Sequence, residues 1–336
     1  MKILLSSHVF LPSVGGIETV SKILAEKFAE AGHDVHVITQ TRGEQNLAGA
    51  YRISRRPSLI KLTRLLGWCD LLFQNNISLR NLIPALLLRK RVIVAHHTWI
   101  QDIHGRIRWR DRAKYALLPF VTNVAISHSV ADRLNVSAEV VGNPYDDKLF
   151  RIIPGMTRDK AIAFIGRLVS DKGIDVLLRA LNLLRGDGLR PDLTIVGKGP
   201  EEEKLRRLVI DLGLDGQVNF AGHQSGETLI QLLNRHRILA VPSRWAEPFG
   251  LVALEGIACG CVVVGSASGG LKEAIGPCGV TFENGDERAL ADRLKELINR
   301  IGSEAELRVE AHSHLEKFRA DAVAAAYLRV IEQAMA

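Results

Sequence analysis

The sequence of 336 residues is poor in cysteine, has no long apolar run and lacks a dinucleotide-binding glycine pattern. Each absence excludes something. The four cysteines, Cys69, Cys259, Cys261 and Cys278, have no spacing that a structural metal uses, so no metal is expected. Cys259 and Cys261 stand in an apolar stretch and read as small buried hydrophobes. The start, "MKILLSSHVF", has only Ile3, Leu4 and Leu5 before Ser6 and Ser7, too little for a secretion leader. The expected location is therefore a reducing cytoplasm. The longest apolar piece, "LIPALLL" at 82–88, falls far short of the roughly 18–20 residues of a spanning helix. G-x-G-x-x-G is absent, which disfavours a dehydrogenase. No aromatic-interleaved basic motif is present, so nucleic acid is not an expected partner.

What is present begins with length: 336 residues exceed one compact core and imply two domains. The net charge of +7 is unevenly placed. Residues 51–115 hold 14 Lys+Arg against Asp70, Asp102 and Asp111, a local charge of +11, while the rest carries −4. A basic half of this kind suits an anionic partner, such as a membrane face, an anionic glycan or a lipid; a solvated surface is the plain alternative.

The periodicity gives an α/β chain. "KILLSS" reads as a buried strand, followed by a glycine turn, a helix with Val20, Ile23, Leu24 and Phe28 on one face, and the strand "VHVIT". "DLLFQNN", "RVIVAHH" and "VTNVAIS" are further strands, with helices over about 79–89 and 129–134; "AEVVGNP" closes the half. The pattern restarts with the strand "KAIAFIGRL" and a helix over 171–184. "DLTIVGKGP", "QVNFAGH", "ILAVPS" and "CVVVGS" follow as strands, with helices between. Helices at about 287–300, 304–317 and 321–336 end the chain. Two successive doubly wound domains are expected, with ligands at the carboxyl ends of the strands and in the cleft between the domains.

The chemistry-bearing residues gather at those strand ends. "SVGGIE" (13–18) is either a tight turn or a place where backbone amides meet an anion at a helix start. "IGRLVSDKG" (165–173) sets Arg167 and Lys172 beside a helix N-terminus, as a diphosphate clamp would, or as plain surface cations. In "SRWAEPFGLVALEGIACG" (243–260), Glu247 precedes a helix that begins near Phe249 and Gly250, and Glu255 lies within it. The helix start turns the amides of Gly250, Leu251 and Val252 outward. The carboxylates are about 10 Å apart at 1.5 Å per residue, too far for a catalytic dyad. They suit two ends of an elongated polyhydroxy ligand. "SASGGLKE" is another glycine turn. His96 or His97, at a strand end, is either a cleft base or structural.

Taken in order, "GGIE", "HHTW", "GRLVSDKG", "VGKGPEEEKL" and "EPFGLVALEGIACG" followed by "SGGLKE" resemble a retaining GT-B glycosyltransferase of family 4, the glycosyl transferases group 1. The resemblance implies a GT-B fold: residues 1–150 an acceptor-binding Rossmann-like domain, 157–318 a nucleotide-sugar domain, and 319–336 a helix crossing back to the first. It implies transfer from a nucleotide diphosphate sugar, used as co-substrate with no cofactor and no metal, to a glycan or lipid-linked acceptor. Arg167 and Lys172 would hold the diphosphate, Glu255 the ribose and Glu247 the sugar. Gly250, Leu251 and Val252, with Gly166 and Phe249 beside them, would complete the donor site. Gly15 and Gly16 would cover the phosphate, and His97 would flank the reacting sugar. With the basic segment 51–115, the protein would sit in the cytoplasm or peripherally on the inner face of the cell membrane. The first half is short between the strands at 35–39 and 91–95, and "VGNPYDDKLF" has proline and tyrosine inside the family's usual link, so the acceptor side is carried over least. A sugar-nucleotide epimerase of the same fold and a non-catalytic binding module are the competing readings.

Overall fold

The structure is a computed structural model that describes residues 1–13, 15–43, 49–101, 105–299, 307 and 309–336. Val14 of the first glycine turn, Asp102 of the basic segment, and residues 304–306 and 308 of the helix expected over 304–317 lie outside the described residues. The chain divides into two compact units, one of Met1–Tyr145 with Phe318–Ala336, the other of Asp146–Lys317. It thus leaves the first unit after Tyr145, ahead of the expected residue 150. The two crossing points are tied together, Tyr145 N–H donating to the Phe318 carbonyl at 3.2 Å.

The first unit runs β1 (Lys2–Ser7), α1 (Gly16–Glu30), β2 (Asp34–Thr39), β3 (Arg52–Arg55), α2 (Leu59–Trp68), β4 (Leu71–Asn75), α3 (Leu79–Leu87), β5 (Arg91–His96), α4 (Trp109–Leu117), β6 (Thr122–Ala125), α5 (His128–Ala131) and β7 (Glu139–Val140). Its sheet is parallel in the order β3-β2-β1-β4-β5-β6-β7. A parallel sheet is covered on both faces, so its strands are buried along most of their length; β4, LLFQN, is buried at every position, its polar Gln74 and Asn75 at the carboxyl end. β3 and α2 have no counterpart in the sequence reading. Ile53 is the one aliphatic residue of β3, on the sheet's edge, with Arg52 held outward by Asp34 at 2.6 Å. Such a short mixed strand leaves little period to read. The interval that looked short therefore still carries two strands and two helices.

The second unit runs β8 (Lys160–Ile165), α6 (Ile174–Gly186), β9 (Leu193–Val196), α7 (Glu202–Asp211), β10 (Val218–Gly222), α8 (Gly226–Arg235), β11 (His236–Val241), α9 (Leu251–Ala258), β12 (Val262–Ser266), α10 (Leu271–Ile275), β13 (Gly279–Phe282), α11 (Glu287–Asn299) and α12 (Ala311–Glu316). Its parallel sheet is ordered β10-β9-β8-β11-β12-β13. Ile174, Leu177, Leu178, Leu181 and Leu184 of α6 pack with Leu290 and Leu294 of α11 in its core. The order reverses between β1 and β4 in one sheet and between β8 and β11 in the other. Each reversal opens a crevice at the strands' carboxyl ends.

The last helix, α13 (Ala320–Met335), belongs to the first unit. Its Tyr327 is fully buried and meets Phe73 edge-on at 5.3 Å. Its Asp321 pairs with Lys27 of α1 at 2.7 Å.

Candidate active site

In the second unit, the loops after four strands are laced together at the β8/β11 crevice. Gly166 N–H continues the ladder to the Val196 carbonyl at 3.0 Å, and buried Leu168 anchors the next turn. Arg167 between them is exposed, and among the described residues its guanidinium has no hydrogen bond or ion pair. Gly173 then opens α6 in the left-handed region, φ 66°, and a Cβ there would lie 1.9 Å from the Pro242 carbonyl oxygen. Only glycine allows the loop after β8 to press against the loop after β11. The Asp171 carbonyl accepts from Arg244 N–H at 2.8 Å and from Trp245 N–H at 3.3 Å, closing the same seam.

This seam delivers Lys172 to Glu247. Lys172 Nζ meets Glu247 Oε1 at 2.5 Å, and Ser243 Oγ donates to the same oxygen at 2.7 Å. The two ionic side chains are about a quarter and a fifth exposed (26% and 18%), so a ligand can reach both. The Glu247 carbonyl accepts from Gly270 N–H at 2.7 Å, tying in the loop after β12. Asn284, after β13, donates to the Ser243 carbonyl at 3.0 Å and accepts from Ser268 N–H at 2.9 Å. Ser243 and Asn284 were not singled out in the sequence. The polar ends of "ILAVPS" and "FENG" are the only signal for them, and it is weak.

Gly250 caps α9 in a left-handed conformation, and buried Phe249 pins the entry. α9 buries Ala253, Leu254, Ile257 and Ala258 and leaves Leu251, Val252 and Glu255 partly accessible. Positions 251 and 255 are one turn apart, so the carboxylate stands on the same face as the open first turn. Burial, reinforced by the Asp146 carboxylate, pushes the Glu255 carboxyl up to about 7. Among the described residues its side chain has no hydrogen bond. A group of this kind is stabilised by hydroxyl donors brought by a ligand.

In the first unit the singled-out residues are Gly15, Gly16 and His97. Gly15 is extended, and a Cβ on it would meet the Glu18 carboxylate at 2.6 Å. The turn at Gly15 and Gly16 thus has the Glu18 carboxylate folded over it. His97 is 4% exposed. Its backbone N–H donates to Asn76 Oδ1 at 2.7 Å, and its Nε2 meets Asn75 Oδ1 at 3.1 Å. Asn75 donates through Nδ2 to Ser21 at 2.6 Å, so its oxygen faces the ring and selects the Nε2–H tautomer. Asn143 lies beside Nδ1 without well-formed hydrogen-bond geometry. Burial, then the neighbouring His96, lowers the His97 pKa to about 4, so the ring is neutral at pH 7. His96 is likewise neutral, lowered by burial to about 4. His97 stands behind Asn75 and Asn76, which line a cavity of about 1050 Å³ at the ends of β1, β2 and β4; the ring itself does not line it.

Residues 146–313 match the glycosyl transferases group 1 family, half of the chain. Residues 14–147 match glycosyltransferase family 4. The chain belongs to the glycosyl transferases group 1. Among curated relatives it is similar to D-inositol 3-phosphate glycosyltransferase of Salinispora tropica, 37% identical over 190 residues, covering 53% of this chain and 39% of that protein. The enzyme of the same name from Mycolicibacterium paratuberculosis is 33% identical over 228 residues, 62% of this chain and 50% of that one. The matched part thus spans half or less of these relatives' length. Among solved structures, HepE of Anabaena in complex with UDP and glucose superposes with a TM-score of 0.81 at 19% identity, over 99% of both chains. Sucrose-phosphate synthase of Thermosynechococcus elongatus superposes with a TM-score of 0.82 at 20% identity, over 99% of this chain and 98% of that one. The two Rossmann-like units and these neighbours define a GT-B fold. Among the described residues no helix is long and apolar enough to cross a membrane.

Proposed function

We propose that this group 1 glycosyltransferase moves a sugar from a nucleoside diphosphate sugar to an acceptor hydroxyl with retention of configuration, and that it needs no metal. The observation that carries the reading is the Lys172–Glu247–Ser243 cluster at the second unit's strand ends, with exposed Arg167 on the same loop as Lys172. Arg167 and Lys172 supply positive charge where a leaving diphosphate gains negative charge. Glu247 is oriented by Ser243 and Lys172 to accept from sugar hydroxyls. Glu255 accepts from the two ribose hydroxyls. The α9 amides at Leu251 and Val252, behind Gly250, take an anionic or hydroxyl oxygen. Similar structures hold UDP and UDP-glucose, which supports a nucleotide sugar as donor.

In the step proposed, the bond from the anomeric carbon to the diphosphate oxygen breaks as the acceptor oxygen bonds to that carbon on the same face. The acceptor proton passes to the departing phosphate oxygen. No carboxylate nucleophile takes part, and His97, neutral, holds the Asn75 side chain.

A screen of nucleotide sugars for released nucleoside diphosphate tests the reading without an acceptor. Hydrolysis of one donor, unchanged in chelator, is expected. An isomerised donor with no diphosphate released means the epimerase, and donor binding without turnover means a binding module. A glycosyl ester trapped on Glu247 overturns the same-face step.

The basic segment supports a second reading, docking on an anionic membrane surface. Leu59, Ile60, Leu87, Ile107 and Trp109 are exposed among its cations, and apolar side chains mixed with cations suit an anionic interface. Cytoplasmic, membrane-peripheral placement and glycan, lipopolysaccharide or glycolipid synthesis follow from that reading. Sedimentation with anionic vesicles at rising salt tests it; absent or salt-independent binding sinks it.

A further inference from the structure

We propose that the second unit carries a further, non-catalytic carbohydrate site: a groove beside α8, on the face of β9 and β10 turned away from the core, that takes a neutral sugar residue of a glycan chain. That the glycan is the acceptor or product chain rests on the glycosyl-transfer reading above; the groove itself does not.

The sheet's own pattern marks the place. β10 is an edge strand, and its Asn219 stands in register with Thr194 of β9. Leu193 and Ile195 belong to the core cluster, and Val218 and Phe220 pack against it, so Thr194 and Asn219 face the other way. Both faces of a covered parallel sheet are usually apolar. Here one face carries a hydroxyl and an amide, and α8 packs chiefly on β11. The space left is a cavity of about 320 Å³, at the small end of the range that holds single small ligands. It begins at Lys160 and His236, the first residues of β8 and β11, away from the crevice at the carboxyl ends. None of Arg167, Lys172, Glu247 and Glu255 lines it.

The lining groups are prepared for hydroxyls. His236 Nδ1 lies 2.6 Å from the Leu232 carbonyl and donates to it, so Nε2 accepts from the Thr194 hydroxyl at 2.9 Å. Burial lowers the His236 pKa, which keeps the ring neutral in this role. Thr194 is thereby fixed with accepting capacity left on its oxygen. Gln224 donates through Nε2 to the Ala221 carbonyl at 2.7 Å and keeps its amide oxygen for a ligand. Asn219, Thr228 and Gln231 are exposed and make no hydrogen bond among the described residues. Ala221 and Leu232 add small apolar surfaces. A sugar residue offers the same mixture, hydroxyls around a compact ring with apolar C–H faces.

Charge narrows the ligand further. The two cations of the groove are each matched, Lys160 by Asp192 at 3.2 Å and Arg235 by Asp159 at 2.9 Å. A phosphate or carboxylate would have to compete with those acids, whereas a neutral sugar leaves both pairs intact. Among the described lining residues there is no aromatic ring on which a nucleobase would stack.

The test is cathodic affinity electrophoresis of the whole protein in gels that carry a soluble α-glucan, β-glucan, mannan or galactan. At least one of these is expected to retard the parent. Asn219→Ala with Gln231→Ala should weaken that binding about tenfold, as loss of two hydrogen bonds does, with donor hydrolysis and melting unchanged. Ala221→Leu, which fills the groove and leaves its polar groups in place, should weaken it too. Glu247→Ala should be retarded like the parent, and phosphate in place of chloride at matched ionic strength should not relieve the retardation. The proposal falls if no neutral glycan retards the protein or if either groove variant behaves as the parent does. It falls equally if Glu247→Ala abolishes retardation, which puts the glycan in the crevice, or if phosphate relieves it, which makes the groove an anion site. Absence of donor hydrolysis would remove the transfer reading instead, and the retardation, which needs no donor, reads independently of it.

Discussion

The two units solve one structural problem, a crevice at a sheet reversal, with opposite electrostatic strategies. In the second unit the charged groups satisfy each other: Lys172 holds Glu247, Arg244 holds Asp175 at 2.6 Å, and backbone contacts stitch four loops together. Arg167, on the loop that carries Lys172, has no hydrogen bond or ion pair among the described residues. In the first unit Asn75 and Asn76, which line the cavity, are neutral and internally bonded. A matched pair can be drawn apart by a ligand that replaces both halves, as a diphosphate sugar does with its anion and its hydroxyls. The first unit's cavity is lined by more cations than acids among the described residues. Under the proposed function, the donor chemistry falls to the second unit.

The comparison is broken most severely by removing charge from the second unit. Arg167→Ala is expected to slow transfer by ~10²–10³-fold, as loss of one transition-state donor does. Its stability should change by less than ~0.5 kcal/mol, because the side chain is exposed and without a hydrogen bond among the described residues. Lys172→Ala should slow transfer comparably. Single-turnover rates with saturating donor, alongside denaturant unfolding, separate the two quantities. If either variant retains full rate, the diphosphate is held elsewhere than on these two cations.

Next in size is the seam. Gly173→Ala places a methyl 1.9 Å from a backbone oxygen, which cannot swing aside, in a left-handed conformation. A loss of ~2–4 kcal/mol is expected from strain and displaced loops. Gly188→Ala is the control: its φ is 83°, but nothing lies within 4 Å of the added carbon. There the cost should be only ~1 kcal/mol, from backbone strain alone. Equal losses in urea titration would show that loop contact contributes nothing at Gly173.

How much of this was legible follows the same division. Arg167, Lys172 and Glu247 were singled out because each lies within a few residues of a strand end and a glycine, and Glu255 because it is a carboxylate inside an apolar helix. Gly173 and Gly250 are left-handed caps, and glycine announces such positions in the sequence. Ser243 and Asn284 were not found, since their roles come from loops brought together by the sheet rather than from neighbours in the chain. The cavity mouth was visible only as excess charge over 51–115. Nothing local tells that Arg80 and Arg110, thirty residues apart, line one opening. β3 escaped because an edge strand with a single buried aliphatic residue has no period to detect. The tie of Lys172 to Glu247 was also invisible: each was read as a ligand contact, and the structure makes each the other's partner while both stay reachable.

The smallest predicted effect concerns Glu255, which tests whether the second unit's carboxylates are alike. Glu247 has a lysine and a serine, whereas Glu255 has neither and is pushed up to about 7 by burial and Asp146. If ribose hydroxyls donate to its ionised form, donor binding must displace a proton below pH 7. Donor affinity should then fall by about tenfold per pH unit between pH 7 and pH 5, about 1.4 kcal/mol for each unit. Stability has its own sign. The folded-state pKa lies above the unfolded value near 4.5, so the folded form binds more protons between pH 4.5 and 7. The stabilising contribution is complete below pH 4.5 and is lost as pH rises through 7. Glu255→Gln should therefore bind donor weakly at pH 8 but with no slope down to pH 5. It should melt higher than the parent at pH 8 and close to it at pH 5. A parent whose donor affinity is flat from pH 8 to pH 5 would show that this carboxylate does not receive the ribose, and that the two glutamates differ in burial without differing in task.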